Sequence, residues 1–228
     1  MRPPTRPRRG AGASLDVETF YADYDRRHPD DRIRLFAAVA EEIGPATVLY
    51  PGSYIDIAPS VLLDDVTYVD TDRRAARFFA QADAVAGLVQ RTRSATAGAP
   101  TSTATIRFHH ADYRSPLPVA DGSAHLLVSL YAGFVSEHCA RYLAPDSWLL
   151  ANPSHGDVAM AVLNPTLALA AVITTDEGGY RVRTDHLDRC LIPKRGHQPT
   201  ADELRDTNRG IAYTLTAYAY LFRKVDTP

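Results

Sequence analysis

What the chain lacks narrows it before anything it contains. Its 228 residues hold two cysteines, Cys139 and Cys190, too far apart in sequence for a close-spaced thiolate metal site and too few for a disulfide framework. No apolar run reaches the roughly 20 residues that cross a bilayer, and no signal-peptide core follows the N-terminus, so a soluble cytoplasmic protein with no membrane partner is expected. Charge of one sign is also missing: 25 Lys and Arg face 27 Asp and Glu, a net charge of −2. That removes the global electrostatic argument for a nucleic-acid partner. No serine stands in a Gly-x-Ser-x-Gly elbow, which leaves hydrolase chemistry without support. No His-x-x-x-His pair offers metal ligands at helical spacing, so His109, His110, Asp112, His155 and Asp157 are read as surface or pocket residues with no metal. A three-glycine phosphate loop is absent too, which sets aside an ordinary dinucleotide-binding dehydrogenase.

What remains is enough to build one core. Hydrophobic residues make up 45% of the chain, sufficient for a single domain of this length. Residues 1–13 are rich in Pro, Gly and Arg and read as a disordered basic tail. Residues 14–44 form a helical cap: one helix capped by Ser14 or Asp16 and carrying Tyr21 and Tyr24, then a second from about residue 30 to Gly44-Pro45. Residues 45–228 form the main body. Two runs rich in β-branched and aromatic residues, Thr47–Tyr50 and Val66–Val69, end on Pro51-Gly52 and on Asp70 and Asp72. Closed by turn residues, with helical pattern after them, such runs indicate buried parallel strands. Further strands are expected at Ala104–Phe108, Ala124–Leu130, Trp148–Ala151 and Leu167–Thr174, with a hairpin at Gly178–Arg183 and a last strand over Ala212–Arg223. Helices are expected from Asp72 through Leu88 and over Phe134–Leu143; Thr92–Thr103 reads as a flexible surface connection. In an open parallel sheet, ligands bind beyond the carboxyl ends of the strands, so Gly52 and Asp70 should face one crevice.

This ordered series of strand ends, from about residue 45 to 223, resembles the class I S-adenosylmethionine-dependent methyltransferases. The resemblance implies a doubly wound, Rossmann-like α/β/α sandwich: a mostly parallel seven-stranded sheet with one antiparallel strand near the C-terminus, beside the sixth. It also implies S-adenosyl-L-methionine as cofactor. In the family the first strand ends on an acid followed by three glycines; here the loop is Tyr50-Pro51-Gly52-Ser53-Tyr54-Ile55-Asp56, and only Gly52 matches. Asp70 matches the acid that holds the ribose hydroxyls, two donors well suited to one carboxylate. Asp112, just after the third strand, takes the place that accepts from the adenine amino group. Tyr50, Ser53, Asp56, Thr71, Tyr113 and Ser129 complete the cofactor-contacting set that the resemblance implies, Asp56 as a partner for the methionine ammonium.

Methyl transfer depends on positioning more than on covalent chemistry, with one proton acceptor helping where the acceptor is a hydroxyl or amine. His155, Tyr131 and Asp157 are the candidates at strand carboxyl ends, with Asn152 as an orienting donor. His155 leads because imidazole titrates near neutrality. Two functions follow. One is a methyltransferase acting on a small molecule; the other is a methyltransferase-like binding or partner module whose altered glycine loop has ended catalysis. Oligomeric state stays open, a homodimer included.

Overall fold

The structure is a computed structural model that describes residues 15–28, 31–44, 46–177 and 179–225. The expected basic tail, a cap by Ser14 and the turn residues Pro29, Asp30, Pro45 and Gly178 lie outside the described residues. The β-rich runs form β1 (Thr47–Pro51), β2 (Asp65–Asp70), β3 (Thr105–His110), β4 (Ala124–Ser129), β5 (Leu143–Ala151), β6 (Leu167–Asp176), β7 (Gly179–Arg183) and β8 (Ala219–Lys224). Between them run α1 (Val17–Arg27), α2 (Arg32–Ile43), α3 (Ala58–Leu62), α4 (Arg73–Phe79), α5 (Ala82–Ala95), α6 (Val135–Cys139), α7 (Asp157–Val162) and α8 (Ala201–Thr207). The strands make one sheet in the order β3-β2-β1-β4-β5-β8-β6-β7. β8 runs antiparallel to both β5 and β6, the position expected of the last strand. β7 adds an eighth strand by pairing antiparallel with β6 at the edge. The result is a Rossmann-like doubly wound sheet whose order reverses between β1 and β4.

Strand side chains alternate between two faces, and the sequence places apolar residues on both. Val48 and Tyr50 of β1, Val66 and Tyr68 of β2, and Leu126 and Val128 of β4 join a core with α2, α4 and α5. Leu49, Val69 and Leu127, one residue out of step, join a second core with α6 and α7. α2 belongs fully to the first layer, since Leu35, Phe36 and Val39 are completely buried in it. Asp16 caps α1, its side chain accepting from the Thr19 N–H at 3.0 Å, as one of the two expected caps. The outermost strands carry arginines: Arg107 of β3 pairs with Asp65, Arg181 of β7 with Asp176, and Arg183 with Asp185.

Three elements differ from expectation. The helix after Asp72 is two helices, broken at Ala80-Gln81, where Gln81 Nε2 donates to the Leu15 carbonyl at 2.8 Å. The helix expected to reach Leu143 stops at Cys139. A tight turn at Ala140–Tyr142 follows, and Leu143 pairs with Ala124 to open β5 well before Trp148. The last strand begins only at Ala219, because Tyr213 makes a separate bridge to Pro193.

α5 runs on to Ala95, into the stretch expected to be flexible, because Arg93 turns inward. It is 2% exposed and donates to the carbonyls of Ser60 (2.8 Å), Leu63 (2.6 Å) and Ser102 (2.7 Å) and to Asp64 (2.8 Å). One guanidinium thus satisfies backbone oxygens on the approach to β2 and on the approach to β3. Arg93→Met should cost about 2–5 kcal/mol in denaturant unfolding, because it strands several buried carbonyls at once. A loss under 0.5 kcal/mol would show that water replaces the guanidinium there.

Candidate functional site

The site is built where β1 and β4 leave the sheet side by side. Gly52 adopts φ +68°, a left-handed conformation, and a Cβ there would lie 2.4 Å from the Ala132 Cβ. Only glycine lets the two exits approach so closely. The Gly52 N–H donates to the Val69 carbonyl at 2.7 Å, fastening the loop to β2. Asp70 completes the fastening: one carboxylate oxygen accepts from the Tyr54 N–H and the other from the Asp72 N–H, each at 2.7 Å. Each oxygen keeps further acceptor capacity.

The two residues that stand in the glycine positions do not fill the crevice. Tyr54, at φ +48°, turns its ring toward α1 and α4. Its centroid lies 5.7 Å from Tyr24 and 6.3 Å from Phe20, and the Arg74 guanidinium sits 5.4 Å from it. Asp56 folds underneath. It is 1% exposed and accepts from the Tyr50 hydroxyl and the Ala58 N–H, both at 3.1 Å. Burial raises its pKa, and the positive charge of Arg32 opposes that rise.

Above this floor lies a cavity of about 460 Å³, bounded by Tyr24 and His28 of the α1 end, Arg32 of α2, the Tyr50–Tyr54 loop, and Leu130-Tyr131 beyond β4. It opens at the carboxyl edge of the sheet, at the reversal point where such folds bind ligands. A larger hollow of about 710 Å³ lies at the opposite, amino-terminal edge, around Thr47, Asp65 and His125. We place the site in the smaller one, because there the turns of two strands and the start of a helix converge.

The cavity gathers Tyr50, Gly52, Ser53 and Tyr131 from the residues expected to act, with Tyr24 from the cap. Asp70 stands directly behind it through the Tyr54 amide. The others are placed differently. Asp56 is shielded by Tyr50. Thr71 is exposed, its carbonyl bonded to His110 Nε2 at 2.9 Å. Asp112 is held by Arg114, which donates to both its oxygens and keeps its carboxyl below the usual range. Tyr113 reaches across to the Ala132 carbonyl at 2.5 Å, bracing the β4 turn, and burial pushes its phenol up to about 12. His155 is exposed at φ +56° on the turn into α7 and does not line the cavity. Asn152, 3% exposed, accepts from the Tyr131 N–H at 3.2 Å and so holds that turn as an acceptor.

Asp157 is fully inside. It accepts from the Ser129 hydroxyl, from the Ser136 N–H at 3.1 Å and from the Ser136 hydroxyl at 2.5 Å, joining the end of β4 to α6 and α7. Arg32 is the residue that the sequence reading missed. Its Nε and Nη1 are shielded from solvent without a hydrogen-bond partner among the described residues, and its guanidinium lies 5.1 Å from the Tyr131 ring centroid. A cation in the first turn of a helix opposes the dipole, and that was the available signal.

No family model matches the chain, and no curated protein matches it. Solved structures do. A SAM-dependent methyltransferase from Thermotoga maritima is 10% identical over 92% of this chain and 96% of that one, with a TM-score of 0.48. The tRNA (m1A58) methyltransferase TrmI from Aquifex aeolicus is 13% identical over 85% of this chain and 69% of that one, at 0.46. A SAM-dependent methyltransferase from Methanosarcina mazei is 13% identical over 82% and 97%, at 0.41. Identities and scores this low leave the reading of the site to its own geometry.

Burial raises the Asp157 pKa from 3.8 to about 6, the serine donors holding it from going higher. Folding therefore favours the protonated form. Its stabilisation is complete below pH 3.8 and is lost as pH rises through about 6. Unfolding free energies at pH 4.5 and 7 should differ less in Asp157→Asn than in the wild type. An identical difference in both proteins would mean that Asp157 does not titrate in this window.

Proposed function

We propose that this protein is an S-adenosylmethionine-dependent methyltransferase acting on a small-molecule acceptor. The observation that carries the reading is the Asp70 carboxylate, clamped by two backbone amides at the end of β2 and set directly behind a cavity at the sheet's reversal point. Both oxygens are oriented and both retain a lone pair, which suits two vicinal hydroxyls. The cofactor supplies an electrophilic methyl group on a sulfonium. The chain's part is to bind and align: Gly52 and Ser53 give the loop close approach, Asp70 takes the ribose, and Asp112 takes the adenine amino group in competition with Arg114. Tyr131 lines the cavity where an acceptor would lie, while His155 would have to be carried in by movement of its turn.

A second reading, a binding module without turnover, is favoured by one observation. Tyr54 and Asp56 close the loop with their own side chains, where the family uses glycine.

Calorimetric titration with S-adenosylmethionine and S-adenosylhomocysteine tests the first reading, and absence of binding by both would remove it. Asp70→Ala should lose about 1.5–3 kcal/mol of affinity, the usual worth of hydrogen bonds to a charged group, and Asp112→Ala less. A larger loss at Asp112 would reverse the two roles. On a panel of hydroxyl and amine acceptors, replacing the proton acceptor should slow turnover by about 10²–10⁴-fold with cofactor affinity unchanged. His155→Ala and Tyr131→Phe identify which residue that is. Binding without turnover across the panel would favour the module.

A further inference from the structure

Burying a cation without partners is costly, and folded chains pair such groups or leave them in water. Arg32 does neither. Two of its nitrogens are sealed from solvent with no hydrogen-bond partner, and it enters no ion pair, among the described residues. The nearest acid on the cavity floor, Asp56, already accepts from Tyr50 and Ala58 and lies beneath the phenol. Among the described residues that line the cavity there is no Asp or Glu, whereas Arg27 and Arg32 both do so. The remaining wall is largely tyrosine: Tyr24, Tyr50, Tyr54 and Tyr131. The space is thus positively biased, aromatic-walled and furnished with unused N–H donors.

We propose that Arg32 is a ligand-binding residue that anchors the carboxylate of a small molecule held in this cavity. A carboxylate accepts two guanidinium N–H bonds at once, the strongest pairing open to such a group. One shielded guanidinium also balances one negative charge, a carboxylate's at neutral pH, whereas a phosphate monoester carries about two. The carboxylate has two sources: the amino-acid tail of the cofactor, which rests on the function proposed above, or an acceptor acid, which does not need it. The Tyr131 ring, under the guanidinium, fixes the orientation of the fork in either case.

The test uses the full chain, R32Q and R32K, titrated with S-adenosylhomocysteine, with methylthioadenosine (the nucleoside without the amino-acid tail) and with benzoate. If the tail is the source, R32Q weakens S-adenosylhomocysteine by about 10- to 100-fold and leaves methylthioadenosine unchanged. If an acceptor acid is the source, both nucleosides bind R32Q as they bind the wild type, and a benzoate-induced rise in melting temperature seen in the wild type disappears. R32K, which keeps the charge without the fork, falls between the two in whichever arm responds. Equal binding of all three probes by wild type and R32Q overturns the proposal while leaving the cofactor reading intact. Absence of nucleoside binding by the wild type removes that reading, and the benzoate arm then decides the role of Arg32 alone. A lower melting temperature in R32Q together with unchanged probe binding by R32K would assign Arg32 to the fold instead.

Discussion

Everything at the carboxyl edge depends on the contact between Gly52 and Ala132. The exits of β1 and β4 approach so closely that a single added carbon would collide. Each exit is then tied to a further strand end of the sheet. Gly52 bonds to the end of β2 through Val69, and Ala132 receives the Tyr113 hydroxyl from beyond β3. Asn152 adds the end of β5 by accepting from Tyr131. Five strand ends are therefore laced into one rim by backbone groups and a few buried side chains. A rim so tied can present groups to a ligand without first being ordered by it.

The loop after β1 turns on a tyrosine. Tyr54 adopts a left-handed conformation and offers its amide to Asp70. Its ring is not wasted, since Phe20, Tyr24 and Arg74 cover it and thereby bring α1 down over the loop. Asp56 returns beneath Tyr50, so the end of β1 meets a carboxylate from six positions further along. The acid faces the core, and the phenol faces the cavity.

The strands were readable because β-branched and aromatic runs closed by turn residues have few other uses; Thr47–Tyr50 and Val66–Val69 each grew by only one or two residues. Gly52 and Asp70 at the strand ends came from the same pattern, and the antiparallel position of the last strand came from the family resemblance. Misreadings arose where tertiary contacts outweighed local preference. The tyrosines before β8 alternate like a strand, yet Tyr213 is drawn to Pro193. Arg93 looked like part of a polar connection until four oxygens were found around it. Asp157 carried the pattern of an exposed loop acid and is instead gripped by Ser129 and Ser136. Arg32 was hidden for a different reason: its isolation is a property of space, and sequence records no vacancies. A cation in the first turn of α2 opposes the helix dipole, and at Arg32 that mismatch points to the cavity.

The arginines of the two outer strands bear on how copies of this protein behave together. A sheet ends in a row of unsatisfied amides and carbonyls that can template another chain. Here β3 presents Arg107 and β7 presents Arg181 and Arg183, each already matched with an acid of its own molecule. A second molecule that tried to add its strand at either margin would have to displace those pairs and crowd guanidinium against guanidinium. The same charges that look like ordinary surface decoration therefore disfavour edge-to-edge strand addition between copies.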